Sequence, residues 1–405
     1  MNIMVAQSGG PTPAINATVV GILELAGKLA NIDKVFGALN GIEGVVHDNV
    51  IDLGERLAND AQLQKLFYTP ASALGACRHR LPEDVANDPI YPLIIENLMA
   101  KEVELFIYIG GNDSMDTVKK LSQYCVLKGI DSLRFIGAPK TIDNDLEGTD
   151  HCPGFGSAAK YIATTFAELE KDCTVYNQPS VTIVEVMGRN TGWLTACSAL
   201  SRLNGGRGPD LIYLCELPFD QEKFLKDLNQ LLTEGRPIIV AVSEGVKNAN
   251  GDYISVIEGN KLDAFGHQFI SGSGKYLENL VRNQMGVKVR SIELNLMQRC
   301  SGHISSKTDL EESRQIGQYA LQVGLKGDTG KMVGIQRLSS HPYQIKFVAS
   351  DIAQIANAEK KVPITWIMPD KSDVTFEMIN YLKPLIAGET ALKYRNGIPD
   401  YISLY

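Results

Sequence analysis

Short apolar runs alternate along this chain with longer stretches in which apolar positions recur every three or four residues. The short runs predict strands at Ile3–Ala6, Leu105–Ile109, Leu133–Ile136, Val181–Val186, Leu211–Cys215, Pro237–Val242 and Val287–Leu294. The longer stretches predict helices at Ala14–Ala30, Ser114–Gly129, Gly156–Asp172, Thr191–Leu203, Phe219–Glu234, Ser273–Met285 and Asp309–Leu325. Most of these strands are apolar almost throughout, as expected of strands covered on both faces. Strand and helix take turns, which predicts an α/β fold of mainly parallel sheets covered by helices. The stretch 50–100 lacks a clean period and is rich in Pro, Asn and Asp, so it reads as an irregular insertion around the mouth of a site.

At 405 residues the chain is long for one domain, and two lobes are expected, with a first boundary near Asp150–Phe155. The net charge of −8 comes without any basic block, which argues against nucleic acid as a partner. The seven cysteines are scattered with no C-x-x-C pair, which favours reduced thiols in a cytoplasm over a disulfide framework or a zinc site. The chain opens directly on a strand pattern, and no run of about 18 apolar residues suits a membrane span. A cytoplasmic protein with no membrane partner is the expectation.

The chemistry gathers where predicted strands end. In Pro139-Lys140-Thr141-Ile142-Asp143-Asn144-Asp145 a Lys, a hydroxyl and carboxylates follow a strand, and open α/β sheets bind ligands at the carboxyl ends of their strands. These residue types suit phosphoryl transfer: a carboxylate takes a hydroxyl proton and a Lys neutralises the moving phosphoryl group. Gln7-Ser8-Gly9-Gly10 and Gly110-Gly111-Asn112-Asp113-Ser114 each place a glycine pair between a strand and a helix. There the backbone can turn tightly and free N–H groups favour an anion. Each could also be a plain turn, with Asp113 or Ser114 as a helix cap; their company with 139–145 favours one shared site. Met187-Gly188-Arg189 ends another strand, where Arg189 could clamp a phosphate or simply pair at the surface. Glu244 follows the next strand and suits a sugar hydroxyl or a solvated turn. Arg290, Gln298 and Arg299 flank the end of a further strand. Ser271-Gly272-Ser273-Gly274-Lys275 lacks the first glycine and the final Ser/Thr of a phosphate-binding Walker loop, although its amides or Lys275 could still meet an anion.

With those segments in hand, the chain resembles the phosphofructokinase family over nearly its whole length and in the same order. The matches are Ser8-Gly9-Gly10, Gly110–Ser114, Pro139–Asp145 and Met187–Arg189. Family members that use ATP carry Gly at the places of Asp113 and Lys140, whereas those that use pyrophosphate carry Asp and Lys. This chain is therefore similar to the pyrophosphate-using branch. A carboxylate at Asp113 would repel an ATP α-phosphate, and Lys140 would add positive charge to pyrophosphate and its transition state.

The resemblance implies two Rossmann-like lobes with the site in the cleft between them. Residues 1–154 and about 298–370 would bind pyrophosphate; 155–297 and 371–405 would bind the sugar phosphate. It implies reversible transfer from pyrophosphate to the 1-hydroxyl of fructose 6-phosphate, with Mg²⁺. Asp143 would be the base, with Lys140, Thr141 and Asp113 as its catalytic company and Asp145 supporting the charge pattern. Gly9, Gly10, Arg78 and Ser114 would meet pyrophosphate, Arg80 being a rival for the place of Arg78. Thr141, Asp143, Met187, Gly188, Arg189, Glu244, Arg290, Gln298 and Arg299 would meet the sugar phosphate, and Asn112 and Asp113 the metal. The chain departs from the family at Asn112 (usually Asp), Leu296 (often His) and Ser180 (Arg in bacterial ATP enzymes). Recognition of the 6-phosphate would then fall to Lys275, Arg290 and Lys307. A homodimer or tetramer is expected. The alternatives are ATP as donor, a sugar such as sedoheptulose 7-phosphate, or a catalytically silent regulatory subunit on the same scaffold.

Overall fold

The structure is a computed structural model that describes residues 1–176, 178–255, 272–355, 358–370 and 372–404. Its contacts divide the chain into two units: 1–157 with 299–359 and 387–405, and 158–298 with 360–386.

The first unit is built on a seven-stranded sheet. In chain order its strands are β1 (Asn2–Gln7), β2 (Lys34–Ala38), β3 (Val50–Asp52), β4 (Val103–Gly110) and β5 (Arg134–Pro139). The second unit holds β6 (Ser180–Val186), β7 (Leu211–Tyr213), β8 (Pro237–Ser243) and β9 (Lys288–Glu293). The chain then returns to the first sheet with β10 (Lys331–Ser340) and β11 (Tyr343–Asp351). The first sheet runs β11-β10-β5-β4-β1-β2-β3, with β3 and β11 antiparallel edges on an otherwise parallel sheet.

Alternation along the central strands sorts side chains onto two faces. Ile3 and Val5 of β1, with Leu105, Ile107 and Ile109 of β4, face the helices Ile15–Ala26 and Lys307–Leu325. Met4 and Ala6, with Phe106 and Tyr108, face Ile90–Ala100 and Asn112–Lys128. The helix Lys307–Leu325 reaches the first face because small residues let it come close. A Cβ on Gly21 would lie 1.9 Å from the carbonyl oxygen of Arg314, and one on Gly317 would lie 2.0 Å from that of Thr18. The second unit carries a four-stranded parallel sheet, β7-β8-β6-β9. Phe224 and Leu228 of the helix Gln221–Leu232, and Leu277 and Val281 of Ser273–Met285, close its core.

Every predicted strand and helix is present, most within a few residues, but several elements went unpredicted. The stretch 50–100 is not irregular throughout. It contains the helices Asp60–Tyr68 and Ile90–Ala100, whose Leu66, Phe67, Tyr91, Ile94, Ile95 and Leu98 are buried. The hairpin β10–β11 was also missed, although Tyr343, Ile345 and Phe347 alternate with Gln344 and Lys346 in plain strand period. The helix expected at Thr191–Leu203 is an α-turn at Trp193–Ala196 that tightens into a 3₁₀ segment at Cys197–Arg202. There Ser198 and Ser201 hydroxyls donate to the carbonyls of Thr195 and Ser198, three residues back.

The C-terminal segment 387–405 belongs to the first unit, not the second as expected. Leu404 is in its core, the Ile402 amide donates to Thr69 Oγ1 at 3.1 Å, and Lys65 pairs with Asp400 at 2.8 Å. Residues 360–370 go instead to the second unit. Trp366 packs edge-on to Trp193 at 6.1 Å, and the Trp193 Nε1 donates to Lys360 O at 3.0 Å.

Candidate active site

Strand register sets the first group of residues. Gln7 of β1 pairs with Ile109 of β4, and Gly110 of β4 pairs with Pro139 of β5. The carboxyl ends of three neighbouring strands therefore deliver Ser8–Gly10, Gly110–Ser114 and Lys140–Asp145 side by side. Main-chain bonds continue this order past the strands: Ser8 N donates to Ile109 O at 2.8 Å, and Lys140 N to Gly110 O at 2.9 Å.

Lys140 is the centre of the group. Its side chain is 1% exposed, and Nζ donates to the carbonyl of Gly10 at 2.6 Å. Gly9 sits at φ +73°, and a Cβ there would lie 3.1 Å from Nζ; one on Gly10 would lie 3.5 Å from Arg299 Nη1. The glycine turn thus lets two cations come up against main chain. Burial pushes Lys140 down to about 8; Asp143 works against the fall and Arg299 adds to it. Arg299 is itself lowered, first by burial and then by the like charge of Arg78. Positive charge held under such conditions is a standing attraction for a polyanion.

A hydroxyl and a carboxylate stand beside it. Thr141 Oγ1 accepts from the Asp143 amide at 3.1 Å and lies 3.4 Å from Asp143 Oδ2, so the hydroxyl fixes the turn that presents this half-buried carboxylate. Asn144 takes φ +56°, a conformation Asn tolerates better than most, and its buried Oδ1 accepts from the Cys152 amide at 3.0 Å. Thr141 also bridges to Gly154, and Asp309 holds Gly154 N and Ser157 N at 2.9 Å each.

Asp113 opens the helix Asn112–Lys128, and Arg80 Nε donates to its Oδ1 at 2.8 Å. Reading Asp113 as a mere cap fails, since it caps nothing, and Arg80 was missed as its partner; the Arg78-x-Arg80 spacing was the available signal. Ser114 is buried, and only a glycine at 110 makes room for it: a Cβ there would fall 2.0 Å from Ser114 Oγ. Asn112 Oδ1 is buried without a hydrogen-bond partner. Among the described residues no group of three or more His, Cys, Asp or Glu could hold a metal. An orphaned amide oxygen one residue before a carboxylate in the chain fits a hard cation that takes most of its ligands from phosphate and water.

The second unit carries its own group. Gly188 has φ +140°, and a Cβ there would clash with Thr191 O at 2.4 Å, so the Met187–Arg189 turn requires glycine. Glu244 Oε1 accepts from Gly188 N at 3.2 Å, and Gln298 Oε1 accepts from Met187 N at 3.3 Å. Gln298 is 2% exposed and its Nε2 donates to Asn295 O, which makes it a brace for the turn. Arg290 lies exposed on β9, the edge of the sheet. Ser271 lies outside the described residues. The amides of Gly272 and Gly274 are taken by the buried Glu185 carboxylate at 3.1 and 2.8 Å, so they meet no external anion. Lys275 pairs with Glu278 at 3.0 Å, and Lys307 is in the first unit.

The family model described as phosphofructokinase matches residues 2–324. The chain belongs to the phosphofructokinase family. A relative in Xanthomonas campestris named pyrophosphate–fructose 6-phosphate 1-phosphotransferase is 39% identical to this phosphofructokinase chain, over 100% of it and 96% of the relative. One of the same name in Methylococcus capsulatus is 36% identical over the same shares. Among solved structures, a pyrophosphate-dependent phosphofructokinase from Nitrosospira multiformis aligns with a TM-score of 0.88 at 35% identity, covering 99% of this chain and 95% of that one. Among the described residues no helix is long and apolar enough to cross a membrane.

Proposed function

We propose that this phosphofructokinase transfers a phosphoryl group reversibly between pyrophosphate and the 1-hydroxyl of fructose 6-phosphate, giving phosphate and fructose 1,6-bisphosphate. The observation that carries the reading is Lys140, a buried cation set against the glycine turn beside Arg299, with Asp143 three residues along the same loop. A diphosphate fits that charge, and the relatives named above agree with it.

In this reading Lys140, Arg78 and Arg299 receive the diphosphate, and their charge opposes the build-up of negative charge on the transferring group. Asp143 accepts the proton of the attacking hydroxyl, and Thr141 keeps its carboxylate in line. Asp113, held by Arg80, occupies and repels the space an ATP α-phosphate needs. Met187, Gly188 and Arg189, stiffened by Glu244 and Gln298, bind the sugar phosphate. Asn112 and Asp113 would hold Mg²⁺, which neutralises phosphate charge when bound. All seven cysteines are free thiols, in keeping with a cytoplasmic location, and a homodimer is the expected assembly.

The test is product formation from fructose 6-phosphate and Mg²⁺ with pyrophosphate or with ATP. Fructose 1,6-bisphosphate from pyrophosphate and not from ATP is expected. Turnover with ATP alone refutes the donor assignment, and none with either donor refutes the activity.

A further inference from the structure

The segment that carries Arg78 and Arg80 has no helix or strand of its own, and both arginines are exposed. It is held from beneath by side chains. Lys120, on the helix Asn112–Lys128, is 4% exposed. Its Nζ donates to Leu81 O at 2.9 Å and meets Glu83 Oε1 at 2.6 Å and Asp116 Oδ2 at 2.7 Å. Burial works against this charge, but the Asp116 and Glu83 carboxylates outweigh it and keep Lys120 raised. Tyr91, fully buried on the helix Ile90–Ala100, gives its hydroxyl to the next carbonyl, that of Pro82. The Tyr91 ring stacks on Tyr124, of the same helix as Lys120, at 5.5 Å. On the upstream side Ser8 Oγ donates to Cys77 O at 3.2 Å, and Arg80 meets Asp113 at the start of the Lys120 helix.

A buried cation is a costly way to hold a loop, since desolvation takes back much of what its partners give. What it supplies is geometry: a main-chain carbonyl gripped at a fixed point, which an apolar residue in the same place would not grip. Exposed arginines on an untied loop would have to be ordered at every binding event, and that cost would appear in the affinity for the anion they receive.

We propose that Lys120 is a positioning residue for the phosphoryl donor. With Tyr91 it locks the segment 77–83 to the helix that carries Asn112, Asp113 and Ser114, so that both arms of the donor pocket are set as one body. The inference rests on the reading above that these residues take pyrophosphate. Lys120 acts through Arg78 and Arg80 and touches no substrate itself.

The experiment is steady-state kinetics of the full chain as wild type, Lys120→Met and Tyr91→Phe, varying pyrophosphate and fructose 6-phosphate in turn. Lys120→Met keeps the stem and removes the charge; Tyr91→Phe keeps the ring and its stack, so it remains informative if the first variant does not fold. The KM for pyrophosphate should rise about tenfold in Lys120→Met and about threefold in Tyr91→Phe, with the KM for fructose 6-phosphate within about twofold of wild type. An unchanged KM for pyrophosphate in the folded variants overturns the proposal. Equal rises in both KM values overturn it too, because a general loosening of the fold would not choose between substrates. A wild type that makes no product from pyrophosphate sinks the underlying reading, and the inference with it, which sets that failure apart from the others.

Discussion

Lys140→Met removes the charge at the centre of the proposed donor site while keeping a stem of similar shape. The fall of Lys140 from 10.5 to about 8 is worth roughly 3 kcal/mol, the amount by which its buried surroundings disfavour its charge. An anion on Nζ cancels much of that penalty, so the protonated form binds pyrophosphate and the neutral form must first take up a proton. Loss of one such electrostatic contact at a transferring group costs ~10²–10³ in rate. At pH 7 the kcat/KM for pyrophosphate should therefore be lower in the variant by about that factor. Above pH 8 the advantage of wild type should shrink about tenfold per pH unit, as its lysine loses the proton in the free enzyme. The assay is kcat/KM for pyrophosphate from pH 7 to pH 9.5 at saturating fructose 6-phosphate and fixed free Mg²⁺, expressed as the ratio of wild type to Lys140→Met. Ionisation of pyrophosphate itself cancels in that ratio. A ratio that stays constant across the range refutes the reasoning, since the charge of Lys140 would then not be what binds the donor.

Three further outcomes follow from the geometry. Asp143→Asn should cut kcat by about 10²-fold or more with little change in substrate affinity, because only proton removal is lost; equal turnover removes Asp143 from the mechanism. Asp113→Gly combined with Lys140→Gly should let ATP compete with pyrophosphate, read by inhibition kinetics, and continued exclusion of ATP would mean that something beyond these two side chains sets donor choice. His151 is buried between Asp150 and Glu312; burial alone would lower it, but the carboxylates outweigh this and push it up to about 9. Because its folded value lies above the ordinary one of 6.5, its contribution is complete below pH 6.5 and is lost as pH rises through about 9. His151→Gln should therefore lower the thermal midpoint most at pH 6, where it breaks a pair worth ~3 kcal/mol, and least at pH 10; a gap that does not narrow contradicts the charged assignment.

The sequence by itself determined the central strands and helices and the chemistry at their ends. Nearly continuous apolar runs read as covered strands, and glycine pairs after them as tight turns, so Ser8–Gly10, Gly110–Ser114 and Lys140–Asp143 were legible as strand-end clusters. Local rules sufficed because a strand end and a helix start are local events. What the tertiary structure decided were the pairings between segments far apart in the chain. That Lys140 reaches Gly10, that Arg80 meets Asp113, and that Lys120 grips Leu81 depend on the order of β1, β4 and β5 and on how a loop lies across a helix. The same holds for the amides of Gly272 and Gly274, which look available to an anion until β6 brings Glu185 against them. It holds again for residues 387–405, whose apolar side chains carry no period that points to either unit and which join the first because Thr69 and Lys65 meet Ile402 and Asp400 there. A one-dimensional pattern records which face of an element is apolar, but not which neighbour that face will find, because the partner is chosen by packing across tens to hundreds of residues of intervening chain.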